Sequence, residues 1–455
     1  MGRMRWMRAA LLFCAAATAC RFELIGFDVG SGDMGVNGGG DMGSSLDLAF
    51  CSCPTGCGGT PSHCLQLQPS GPVTAGDYNM PGLGSKSVAT NITINTDNGS
   101  ISGGGPTLMR PMGTGVINGI GFHVVPQASG PSVGVFSVAG LTLSGTITMT
   151  ITGSNAFALA SAGDVTLNGL VDASCGAGGP GPGGFAGGLS ASDGMGPIAG
   201  AGKKGIDNGP MSESSGGGGA GYGDSGGSGG LINGNGATPN GGVPWGDLTT
   251  PNFTLAGGTG GGGGAQPMGG KGGGGGGAVQ FSVNGVLSIS GVIDVGGCGG
   301  LHGGKGTGGG GGGAGGAIVL EAAHITLTST AVLAANGGGG AAGDDKSTSG
   351  NDANAGVAPA SGGGTTSATG GMGGNGGASN GMPGQHWTNG RSGTIPNPDS
   401  DFGGGGGGGV GRIAVRAVSP TMGGISDSST AVSPDAADLN SLGQHPTVYG
   451  TANFQ

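Results

Sequence analysis

The chain has 455 residues, of which 124 are Gly and 24 are Pro, while charged residues make up only 8% and the mean hydropathy is +0.07. So much Gly and Pro excludes a helical protein, and the scarcity of charge at this hydropathy does not fit a solvated disordered chain. The formal net charge of −10 falls to −13 once residues 1–19, with Arg3, Arg5 and Arg8, are removed, which argues against nucleic acid or acidic lipid as a partner.

The chain opens with three arginines ahead of a short apolar run, Ala9 to Ala17, that includes Leu11, Leu12 and Phe13. This is a basic segment followed by an h-region, predicting a signal peptide over 1–19. Nine apolar residues are too few to cross a bilayer. The segment ends Ala17-Thr18-Ala19-Cys20, with small residues where a signal peptidase needs them. Ala19-Cys20 also resembles the lipobox of bacterial lipoproteins, although Ala17 stands where that family prefers Leu. That resemblance implies that Cys20 is diacylated and becomes the mature N-terminus; the alternative is secretion with Cys20 as a plain thiol. Residues 20–50 carry Gly30, Gly32, Gly35 and Gly38 to Gly40 and read as a flexible tether. Arg21 follows the cysteine where enteric lipoproteins kept in the inner membrane carry Asp, so the resemblance implies the outer membrane.

Residues 51–84 read as a disulfide-rich cap. Cys51, Cys53, Cys57 and Cys64 fall within fourteen residues, with Pro54, Gly56, Gly58 and Gly59 between them as turn formers. C-x-C is tighter than the usual zinc-ligand gap, and an exported chain favours disulfides. Cys51 and Cys53 are too close to bridge each other, which leaves 51–57 with 53–64, or 51–64 with 53–57.

Residues 85–455 alternate between strand-forming repeats and glycine. Phe157, Leu159, Val165, Leu167 and Leu170 align with Val279, Phe281, Leu287, Ile289 and Val292, then with Ile318, Leu320, Ile325, Leu327 and Val332; a fourth unit begins at Ile413 and Val415. Each unit is apolar-x-apolar, a corner, apolar-x-apolar, a corner, and a third short strand ending in Gly. Three faces in about twenty residues predict an all-β fold of parallel β-helix, or solenoid, coils. Weaker units at 88–101, 116–125 and 134–151 extend the stack to about seven coils. The Gly-rich stretches 176–276, 299–315 and 337–410 are insertions leaving after the third strand. Several have a three-residue period, as in 370–378, and resemble the polyglycine II bundles of certain ice-binding proteins and phage tail adhesins; the competing reading is disordered loop. Cys175 and Cys298 follow Asp172 and Asp294 at nearly the same repeat position and are expected to pair.

No motif carries chemistry. Gly299-x4-Gly304-Lys305 begins like a phosphate loop, but Gly306 stands where Ser or Thr must hold magnesium. Gly218 to Asp224 approaches a calcium nonapeptide with its Asp one place late. The six histidines are scattered, and no serine sits in a nucleophile elbow. No catalytic residue, metal site or cofactor is assigned. Asp172 and Asp294 are the nearest thing to a carboxylate pair, as a carbohydrate-cleaving β-helix would require, although a residue at such a corner is more often a hydrogen-bonder.

Lipobox, Gly/Asp tether, a short Cys motif ending His63-Cys64-Leu65-Gln66-Leu67-Gln68-Pro69-Ser70, and repeats with poly-Gly spacers together resemble the glycine-rich surface lipoproteins of large-genome social and predatory bacteria. The resemblance covers nearly the whole chain. It implies a non-enzymatic structural or adhesive protein of the outer membrane or cell surface, held by a lipid anchor, with surface polysaccharide or another envelope protein as partner. The alternative is a carbohydrate-binding or carbohydrate-cleaving β-helix.

Overall fold

A computed structural model describes residues 57–58, 63–64, 66–176, 179–207, 214–230, 239–265, 267–344, 346–366, 370–379, 386–387, 402–417, 431–435 and 446–454, all within one compact unit, 51–455. Cys20 and the tether lie outside the described residues, as do Cys51, Cys53 and the side chains of Cys57 and Cys64. Cys57 and Cys64 face each other as Cα partners in a two-residue antiparallel ladder.

The described residues are all-β, with one short 3-10 helix, Ala75–Tyr78. Strands stack in parallel in three columns. The first runs through Val133–Val138, Ala156–Ser161, residues 278–283, residues 317–322, Arg412–Ala417 and Thr447–Thr451. The second runs through Ser85–Val88, Gly140–Leu143, Val165–Leu167 and the far ends of Ala278–Ile289 and Ala317–Leu327. The third, a separate sheet, holds Ile92–Asn95, Thr148–Thr152, Leu170–Asp172, Val292–Asp294, Val332–Ala334 and Ala431–Ser433.

Register follows the apolar alternation, because a slip by one residue would turn every core side chain outward. Phe157, Val279, Ile318 and Ile413 are successive Cα partners, as are Leu159, Phe281, Leu320 and Val415. Those side chains point into the core shared by the columns, where Phe122, Phe136, Phe157 and Phe281 stack with ring centroids 4.8, 5.5 and 5.9 Å apart. Each such buried ring contributes about 1.5–3 kcal/mol. The alternate positions, Ala156, Ala158, Ala160, Ala278, Ala317 and Ala414, form the outer face of the first column. They are small because that face is covered too, by Leu67, Val73, Tyr78, Tyr222, Leu248, Phe253 and Leu255. At the other end of the chain, Asn453–Phe454 pairs antiparallel with Leu67–Gln68.

Of the weaker repeats, 134–151 stacks in parallel in all three columns as expected, whereas 116–125 and the end of 88–101 differ. Gly115–Ile117 and Ile120–Val125 form an antiparallel hairpin that continues antiparallel onto Val133–Val138, and Ile101–Gly103 folds back antiparallel on Ile92–Asn95. The cause of the first is local: Asn118 and Gly119 both have positive φ, 50° and 71°, the conformation of a two-residue hairpin turn. Parallel stacking in the first column therefore begins at Val133.

The Gly-rich segments leave after the third column and rejoin the first at Ala278, Ala317 and Arg412. Many of their described residues are joined to other segments by backbone hydrogen bonds. Segment 308–316 has six neighbours. Gly309, Gly312 and Gly315 donate to the carbonyls of Gly403, Gly406 and Gly409 at 2.8–3.0 Å; Gly310, Gly313 and Gly316 donate to Leu301, Cys298 and Val295; Gly311 and Ala314 donate to Gly262 and Thr259. Its carbonyls accept from Gly270, Gly273 and Gly276, from Gly217 and Ala220, and from Gly338 and Ala341. The direction of bonding repeats every third residue. Backbones this close leave no room for side chains: a Cβ on Gly311 would lie 2.1 Å from the carbonyl oxygen of Gly218.

Candidate functional site

Three groupings of polar side chains stand out. The first is where insertions leave the third column. Asp172 and Asp294 are Cα partners on neighbouring strands, and each opens an exit turn in the same way. Asp172 Oδ1 accepts the amide of Ser174 at 3.1 Å and its hydroxyl at 2.6 Å, while Asp294 Oδ1 accepts the amide of Gly296 at 2.9 Å. These are Asx turns, which satisfy the backbone where the ladder ends. Burial pushes the Asp294 carboxyl up to about 7 and the Asp172 charge adds to this, while the Gly296 amide opposes it. The two carboxylates thus act as corner hydrogen-bonders, one of them holding a proton near neutral pH.

Just past these turns, Cys175 and Cys298 are bonded through sulfur, with Cα atoms 5.5 Å apart and 123 residues between them. The strand register is kept through the exit turn, with Ala173 donating to the Asp294 carbonyl and Cys175 to that of Gly296, so the disulfide itself spans the one-residue offset. Beside the bond lies a cleft of about 210 Å³, lined by Thr150, Thr152, Asp172, Ser174, Cys175 and Pro180 among others.

The second grouping is buried between the first column and its cover. Ser282, Glu321 and Arg416 are successive Cα partners on the outer face. Arg416 Nη1 donates to Glu321 Oε1 and to Ser70 Oγ, both at 2.7 Å, and its Nη2 donates to the Leu248 carbonyl. Ser70 donates its hydroxyl to Glu321 Oε1 and its amide to Oε2; Ser282 Oγ donates to Oε2 at 3.0 Å. Gln280 Nε2 donates to the Ser70 carbonyl at 2.8 Å. The Glu321 and Arg416 side chains are only 3% and 11% exposed, so the pair is desolvated and depends on these partners. Tyr78 packs nearby, and burial, with the Glu321 charge, pushes its phenol up. This network fastens the 66–80 segment and residue 248 to the strands. Ser282, Glu321 and Arg416 each follow the second apolar residue of their repeat, which is the signal that aligns them.

The third grouping is a column of hydroxyls on the solvent side of the second column: Ser87, Thr142, Thr166, Ser288 and Thr326 are successive Cα partners, all half-exposed or exposed. Adjacent strands set them about 4.8 Å apart.

Trp245 lies against Tyr222, centroids 4.5 Å apart, and donates its Nε1–H to the Gly221 carbonyl at 2.9 Å, so it pins glycine segments together. Gly218 to Gly221 and Gly223 donate their amides to other segments of the glycine block, while Tyr222 donates locally to the Asp224 carbonyl. No helix among the described residues is long and apolar enough to cross a membrane. Comparison with protein-family models, with curated proteins and with solved structures found no match.

Proposed function

We propose that the chain is a non-enzymatic structural or adhesive protein of the bacterial outer surface: a β-solenoid stalk braced by a polyglycine II-like block, exported by residues 1–19 and anchored through lipid on Cys20. The observation that carries this reading is the six-neighbour hydrogen bonding of segment 308–316. Every amide of 309–316 is fixed by another segment, which suits a durable scaffold better than a moving lid. The uncharged hydroxyl column supports an adhesive role toward surface polysaccharide, since hydroxyls both donate and accept hydrogen bonds.

The test is cell fractionation with mass spectrometry of the mature N-terminus, together with binding of the purified protein to a glycan array. Acylated Cys20 in the outer-membrane fraction and retention on polysaccharide support the proposal; unmodified Cys20 in the medium refutes the anchor. The Asp172/Asp294 pair favours a second reading, a carbohydrate-cleaving β-helix. Release of reducing sugar that is lost in Asp294→Asn would replace the first reading with this one.

A further inference from the structure

We propose that when Cys175 and Cys298 are reduced they form, with Asp352, a binding site for one thiophilic divalent cation, of which Zn²⁺ is the type. The three residues come from separate parts of the chain: two successive exit turns and the third insertion. One ligand atom from each, the two Sγ atoms and a carboxylate oxygen, lie within 4.8 Å of one another. A tetrahedral zinc ion, with bonds of about 2.3 Å to sulfur and about 2.0–2.2 Å to oxygen, needs ligand atoms roughly 3.5–3.8 Å apart. Opening the sulfur–sulfur bond therefore leaves the group already gathered at nearly the required span.

The surroundings suit an ion. Cys298 is fully buried and Cys175 is 9% exposed, so the thiolates are shielded, whereas Asp352 is exposed and leaves one side open to water. Asp352 is also held: its Oδ1 accepts the amide of Gly299 at 2.9 Å, next to Cys298 in the chain. A hydrogen bond of that kind to a ligating carboxylate is a usual outer support of metal sites. Three protein ligands leave a fourth position for water, as in open zinc sites.

The chemistry balances with a small thiol as reductant. Two thiols give up two protons and two electrons, the Cys175–Cys298 bond breaks to two thiols, and the reductant leaves as its own disulfide. Binding of M²⁺ then releases the two thiol protons and forms two metal–sulfur bonds. Disulfide and metal are thus alternative clasps for the same pair of exit turns, and only one is present at a time.

The experiment is a Co²⁺ titration of full-length protein before and after reduction, read by thiolate-to-cobalt charge-transfer absorption, with far-ultraviolet circular dichroism confirming that the strands persist. Cysteines elsewhere also bind cobalt when reduced, so the diagnostic quantity is a difference. Reduced wild type should take up one equivalent more than reduced Cys175→Ser/Cys298→Ser, Asp352→Asn should weaken that equivalent by about tenfold or more, and Zn²⁺ should displace it. Equal uptake by wild type and the double variant, an Asp352→Asn affinity equal to wild type, or loss of the strands on reduction would each overturn the proposal.

Discussion

Replacing Gly311 with Ala tests whether the glycine segments are interlocked. The new Cβ would stand 2.1 Å from the Gly218 carbonyl oxygen and 2.5 Å from its carbon, and ordinary contact begins near 3.4 Å, so the two segments must separate by about 1.3 Å. Those two segments are joined by Gly217 donating to the Gly309 carbonyl and Ala220 donating to the Gly312 carbonyl, both at 2.9 Å. Neither bond survives a displacement of that size, and each buried bond lost costs about 1–3 kcal/mol. The loss is therefore about 2–6 kcal/mol, offset by about 0.4–1 kcal/mol from the reduced freedom of Ala in the unfolded chain. Gly364→Ala is the control, because its Cβ meets nothing within 4 Å; it should leave stability within about 1 kcal/mol of wild type. Urea denaturation followed by circular dichroism reads both. A Gly311→Ala variant as stable as Gly364→Ala would refute the reasoning, since that is how a flexible loop behaves.

Arg416→Ala leaves the buried Glu321 carboxylate without its cation and should cost about 3–5 kcal/mol in the same assay, whereas Glu321→Gln/Arg416→Met should recover most of it; equal losses would mean the pair is not desolvated. Cys175→Ser/Cys298→Ser removes a cross-link spanning 123 residues and should lower stability by up to roughly 4–5 kcal/mol on a chain-entropy account, and no change would contradict that account. Asp294, with its carboxyl pushed up to about 7 by burial, binds its proton more tightly when folded than unfolded. Stability should therefore fall as pH rises from about 4 through 7, by at most about 4 kcal/mol, and level off above. Asp294→Asn should flatten that segment of the pH profile, and a slope unchanged by the substitution would assign it to another group.

The sequence was informative where geometry forces a pattern. Apolar residues at every second position, interrupted at fixed places by Gly, allow one register, and Leu159, Phe281, Leu320 and Val415 fall in it. The exit turns were legible for the same reason: Asp172 and Asp294 hold one repeat position, and the cysteines follow. The hairpin at Asn118-Gly119 was misread as a coil because its apolar spacing matches a weak repeat, although the Asn-Gly pair carries the turn. The Ser70–Glu321–Arg416 network was not legible, because its members are 251 and 346 residues apart from Ser70 and charged residues at outward positions ordinarily face water. The ordering of the glycine segments was not decidable from composition, since Gly loses the most entropy on folding. Close backbone packing in which, as along 309–316, each amide finds a carbonyl offsets that cost.

Native-state hydrogen exchange with mass spectrometry tests the central claim, that the glycine insertions are an ordered hydrogen-bonded block built onto stacked parallel strands. Peptides covering 257–264, 270–276, 308–316 and 403–411 should be protected to a degree comparable with the strands Ala278–Ile289 and Ala317–Leu327, because most of their amides are fixed by carbonyls of other segments. Exchange of those glycine peptides at the rate of an unstructured chain, with the strands still protected, would contradict the account.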